Sequence, residues 1–96
     1  MNFEEILKQN EMVLADFAAS WCGPCRMLKP VVEQFEKEFE GRVKVVSIDV
    51  DEQEALATQY GIQVVPTLLY FERGELKKRT SGYMDLASLK VWLELE

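Results

Sequence analysis

Histidine is absent from this chain and cysteine nearly so, with two among 96 residues. A structural zinc site wants four nitrogen or sulfur ligands, so one copy of the chain cannot complete one. Two copies sharing thiolates at an interface could, for zinc or for an iron–sulfur cluster. No segment approaches the roughly 20 consecutive apolar residues of a membrane span. The opening "MNFEEILKQNEMV" carries acids where a secretory signal has a basic region and an apolar stretch, so the expected location is cytoplasmic. Basic side chains are also scarce. Eleven Lys and Arg against seventeen Asp and Glu leave a net charge of -6, which opposes binding to nucleic acid or to an anionic membrane. The densest basic cluster, Lys77-Lys78-Arg79, falls in a segment that reads as an edge strand, where positive charge blocks edge-to-edge pairing. There is no internal repeat, linker or low-complexity stretch. With 48% hydrophobic content, residues 1–96 are expected to form a single domain.

The hydrophobic pattern then gives an order of elements. Asn2 followed by Glu5, with Phe3, Ile6 and Leu7 as an apolar stripe, predicts a helix over 3–9. "MVLADFA" is short, apolar and without helical period, as a buried strand is. From Pro24 onward Met27, Leu28, Val31, Val32, Phe35 and Phe39 recur at helical spacing, a long amphipathic helix ended by Gly41 and kinked at Pro30. "VKVVSIDV" reads as a strand, "EQEALATQY" as a short helix stopped by Gly61, and "TLLYFE" as a third strand. "ERGE" turns the chain into "LKKRTSG", a hairpin. Asp85 caps a last helix whose Leu86, Leu89 and Leu93 face inward beside Trp92. The sum is an α/β sandwich in which a parallel strand pair and an antiparallel hairpin share one sheet.

Both cysteines lie in "ADFAASWCGPC", three positions apart, where the second element ends and the long helix begins. As a staple the pair is poor: closing four residues restrains only about 2 kcal/mol of unfolded-chain entropy. A redox couple fits the position better, because amides and the macrodipole at a helix start favour thiolate over thiol. Pro24 has no N–H, so the sulfur of Cys22 is expected to look to the amide and thiol of Cys25. Cys22, outside the first turn, is expected to be the exposed attacker and Cys25, within it, the buried resolver. Gly23 leaves the approach to the sulfur open.

"WCGPC" at 21–25, Asp16 six residues before the first cysteine, "YGIQVVPT" at 60–67, "FERGE" and Gly82 together resemble the thioredoxin family, over essentially the whole chain. Thioredoxin is itself the usual worked example of C-x-x-C chemistry. The resemblance implies a thioredoxin fold, here a four-stranded mixed sheet with an N-terminal helix and without the additional N-terminal strand many members carry. That would leave "VKVVSIDV" as an exposed edge, with Lys44 to protect it. It further implies thiol-disulfide exchange with protein disulfides, Cys22 as nucleophile and Cys25 as the thiol that releases product, and no bound cofactor or metal. Asp16 would be the buried carboxylate under the site; desolvated by Val13, Leu14 and Phe17, it would take the proton of Cys25. A structural aspartate satisfied by local hydrogen bonds is the alternative. Pro66 matches the family's cis-proline, which would bring the Val65 backbone beside the thiols for an extended substrate to dock on. Trp21, Gly23, Pro24, Gly61, Ile62, Val64, Gly82 and Tyr83 would complete the contact surface, with Trp21 as a wall of the site. Implied partners are a thioredoxin reductase as electron donor and, as acceptors, ribonucleotide reductase, peroxiredoxins and methionine sulfoxide reductases. Rival readings are an oxidase or isomerase of the same fold and an interaction module whose thiols are incidental.

Overall fold

Asn2 caps the first helix by accepting from the amide of Glu5 at 3.1 Å, and from there the computed structural model describes residues 1–95. Eight elements follow: α1 (Phe3–Gln9), β1 (Met12–Ala18), α2 (Gly23–Glu38), β2 (Lys44–Asp49), α3 (Glu54–Gln59), β3 (Thr67–Glu72), β4 (Glu75–Ser81) and α4 (Leu86–Leu93). The strands form one mixed sheet in the order β2-β1-β3-β4. β1 runs parallel to β2 and antiparallel to β3, and β3 is antiparallel to β4. Among the described residues β2 and β4 are the two edges.

Strand alternation divides the core into two layers. Leu14, Val45, Leu68 and Tyr70 face α2 and α4, where Leu28, Val32, Phe35, Leu89 and Leu93 pack on them. Val13, Phe17, Ile48, Leu69 and Phe71 face the other way and are covered by Phe3 and Leu7 of α1, with Leu56 beside α3's buried Ala57. β1 and β3 are therefore apolar on both faces, which is why they read as continuous hydrophobic runs.

Some expectations need adjustment. Met27, expected in the apolar stripe of α2, is 61% exposed; the fully packed residues of that stripe are Leu28, Val32 and Phe35. The helix runs through Pro30 as one element and ends at Glu38, before Gly41. The chain then reverses, with the amides of Arg42 and Val43 both donating to the Phe39 carbonyl and Gly41 at φ +83°, a left-handed conformation that favours glycine. Trp92 is only partly buried, packed against the α2/α4 layer.

Candidate active site

β1 emerges from the centre of the sheet, so whatever follows Ala18 sits at the carboxyl end of the strands, where α/β folds place their chemistry. The amide of Cys22 donates to the Ala19 carbonyl at 3.2 Å, and Cys22 then takes extended backbone angles as the N-cap of α2. Its Sγ accepts from the amide of Cys25 at 3.2 Å. A sulfur thus occupies the place where a capping oxygen ordinarily sits. The two cysteines form a disulfide with Cα atoms 5.3 Å apart.

Burial differs from the sequence expectation for one of them. Cys22 is not exposed: like Cys25 it is 5% accessible, and the pair packs with Ala19, Ala18, Val50 and Val65. Nothing fills the space beside Gly23, so approach to the sulfurs stays open on that side. Val65 reaches the site from the loop before β3, with its carbonyl oxygen 3.6 Å from Cys22 Sγ. The Val65–Pro66 peptide bond is cis. Behind it the fully buried Thr67 hydroxyl donates to the Val64 carbonyl at 2.7 Å, and the Gly82 amide donates to the Pro66 carbonyl at 2.9 Å.

Beside the thiols an open groove of about 330 Å³ is lined by Trp21, Val50, Ile62, Gln63, Val64 and Val65. Trp21 stands as its wall, 68% exposed, with the indole N–H donating to Asp51 Oδ2 at 2.9 Å. Asp51, Val50 and Gln63 were not singled out from the sequence; no local pattern joins an acid after β2 to a tryptophan thirty positions earlier. Of the other expected surface residues, Gly23, Pro24, Gly61, Gly82 and Tyr83 do not line this groove, although Tyr83 is 48% exposed. Arg26 is engaged by the Ser20 carbonyl at 3.0 Å. A larger depression of about 970 Å³ lies at the start of β2 among Glu33, Glu36, Lys37, Arg42 and Lys44, at the opposite end of the strand from the thiols, and is lined by charges of both signs.

Asp16 sits on β1 in register with Leu68 and on the same face as Leu14. Val13 and Phe17, expected to desolvate it, point to the other layer; burial comes from the α2/α4 side. The carboxyl is 5% exposed and its Oδ1 has no hydrogen-bond partner, so local hydrogen bonds do not satisfy it. Burial pushes its pKa from 3.8 up to about 6, because desolvation penalises the charged form. Among the described residues no group of three or more Cys, Asp or Glu is placed to hold a metal ion, and no helix is long and apolar enough to cross a membrane.

This geometry can be set beside known proteins. Residues 1–95 match the family model described as Thioredoxin. The thioredoxin of Rickettsia bellii is 42% identical over 90 residues, which cover 94% of this chain and 86% of that protein. That of Pyropia yezoensis is 47% identical over 86 residues, 90% of this chain and 80% of the relative. Among solved structures, a mutant thioredoxin from Halobacterium salinarum superimposes with a TM-score of 0.87 at 44% identity, over 96% of this chain and 80% of that one. Oxidised mitochondrial thioredoxin 3 from Saccharomyces cerevisiae also gives 0.87, at 31% identity and with 97% and 87% covered.

Proposed function

Because the chain belongs to the thioredoxin family, with Cys22 and Cys25 as its pair for dithiol-disulfide exchange, we propose that it is a general reductase of protein disulfides in which Cys22 attacks and Cys25 resolves. The observation that carries the assignment is the amide of Cys25 donating to Cys22 Sγ at the start of α2. In the reduced protein that bond and the helix's positive end favour a thiolate on Cys22 over one on Cys25.

The cycle balances as two exchanges. The Cys22 thiolate attacks a substrate disulfide; one substrate sulfur leaves and is protonated, and Cys22 is joined to the other. Deprotonated Cys25 then attacks Cys22 Sγ, the second substrate thiol departs, and the Cys22–Cys25 disulfide remains. Two electrons and two protons have passed to the substrate. Asp16, with a pKa near 6 and no partner on Oδ1, is suited to take the proton of Cys25. An extended substrate segment docks along Trp21, Ile62, Val64 and Val65, pairing with backbone beside Pro66.

In this reading residues 1–96 act as one domain with no bound cofactor, in the cytoplasm, as an electron carrier in cell redox homeostasis. Electrons come from a thioredoxin reductase, and the acceptors include ribonucleotide reductase, peroxiredoxins and methionine sulfoxide reductases. The test is insulin reduction with dithiothreitol as donor, comparing the parent protein with Cys22→Ser and Cys25→Ser. Turnover should vanish in both variants, and Cys25→Ser should accumulate as a mixed disulfide. A parent protein no faster than dithiothreitol alone would replace general reduction by a dedicated partner.

A further inference from the structure

The three basic residues of β4 do not form one patch. Lys77 pairs with Glu75 at 3.2 Å. Lys78 reaches α4, where its Nζ donates to the Trp92 carbonyl and to Glu94 Oε2, at 2.7 Å each. Arg79 turns to the opposite face of the sheet, and its guanidinium donates to two carbonyls just past the end of α3, that of Tyr60 and, at 2.7 Å, that of Gly61. α3 has only six residues and no basic side chain in its last turn. Carbonyls beyond a helix end have no amide of the helix to accept from, and a planar fork of donors suits two of them one residue apart.

From these carbonyls the chain runs directly into the groove beside the thiols: Ile62, Gln63, Val64 and Val65 line it. The far end of that segment is also fixed from β4. Ser81 lies two residues beyond Arg79, and its hydroxyl is 2.9 Å from that of Thr67. Since Thr67 spends its own proton on the Val64 carbonyl, Ser81 is the donor of this pair. One strand, through alternate residues on one face, therefore grips both ends of the stretch that presents Val65 to Cys22.

We propose that Arg79 is a positioning residue for substrate docking, whose guanidinium fixes the Tyr60–Gly61 end of the segment that offers Ile62, Val64 and Val65 to a protein disulfide. The proposal rests on the docking surface proposed above. Losing Arg79 loosens that end without touching the thiols, so it weakens docking of an extended protein substrate and spares attack on a small disulfide that needs no groove.

The experiment compares Arg79→Gln and Arg79→Lys with the parent protein, each verified as folded by thermal melting. For Arg79→Gln the KM for insulin should rise about threefold to tenfold, the factor that one or two exposed hydrogen bonds correspond to. The rate of the reduced protein with a small aromatic disulfide should be unchanged, and the Gly61 and Ile62 amides should exchange hydrogen faster. Arg79→Lys keeps the charge but not the fork, so it should remain impaired; a parental KM in that variant overturns the two-carbonyl assignment. Unchanged KM and exchange in Arg79→Gln, or equal loss with both substrates, overturns it as well. Val64→Asp separates the two readings. If it raises the KM while Arg79→Gln does not, the docking surface stands and the role of Arg79 falls; if it too leaves the KM unchanged, both fall. Should Arg79→Gln melt below the assay temperature, Arg79→Lys carries the same readouts.

Discussion

Asp16 is a buried carboxyl without a partner on Oδ1, and the proposed cycle uses it as a proton acceptor. Its pKa in the folded protein, about 6 against 3.8, means that the native state binds its proton more tightly than the unfolded chain does. The stability that Asp16 contributes is then fully present below about pH 4, declines as pH rises through the interval up to about 6, and is absent at neutral pH. The cost corresponds to about 3 kcal/mol as an order of magnitude. Asp16→Asn should accordingly raise the unfolding free energy at neutral pH by about 2 to 3 kcal/mol and have little effect near pH 4, as read by urea denaturation at the two pH values. An equal change at both would show that the carboxylate charge is not the cause. On the proposed role of Asp16 as acceptor of the Cys25 proton, the same variant should also slow release of the mixed disulfide. That Asp16 is buried was implied by the family resemblance, together with the apolar run that surrounds it in sequence. Which neighbours bury it was legible only in part: Leu14 shares its face, whereas Val13 and Phe17, within three positions of it in sequence, belong to the other layer, because successive strand residues alternate faces.

Among the elements, α2 ties the site to the core. Its first turn is capped by the sulfur of Cys22, while Leu28, Val32 and Phe35 anchor its inner face against β1 and β3. Phe35 is fully buried and stacks on Phe39 with ring centroids 4.5 Å apart. Phe35→Ala should cost about 3 to 5 kcal/mol through lost burial and the cavity left behind. Met27→Lys, on the exposed flank of the same helix, should stay within about 0.5 kcal/mol of the parent. Chemical denaturation of the two variants checks both, and a large loss in Met27→Lys would contradict its exposure. The sequence stripe placed Met27 and Phe35 together, since a helical period identifies a face only to within a broad arc. Which residues within that arc touch the sheet depends on how the helix is rolled against it, and that is a property of the packed pair. β4 gives the same lesson: three adjacent basic residues read as edge protection, yet their side chains go to three different partners.

For the molecule as a whole, the redox state and folding are linked through the disulfide. Closing a four-residue loop removes about 2 kcal/mol of unfolded-chain entropy, so the oxidised protein should melt above the reduced one. For a domain of this size the shift should be roughly 4 to 8 °C per kcal/mol. Calorimetry with and without reductant reads it, with the Cys22→Ser, Cys25→Ser double variant expected to follow the reduced form. A reduced protein that melts at the same temperature or higher would show that thiolate capping of α2 outweighs the loop constraint. The eight elements and their order, the mixed sheet, and the place of "WCGPC" at a strand-to-helix junction could be read along the chain. Alternation, helical period and capping residues act over a few positions, so a linear reading contains them. Packing of the folded chain is what buries Cys22, sets the Val65 carbonyl 3.6 Å from its sulfur, and brings Asp51 to Trp21 and Arg79 to Gly61. Those pairs lie 43, 30 and 18 positions apart, and what joins them is the registry of strands and the roll of helices, which arise only when the whole core packs at once.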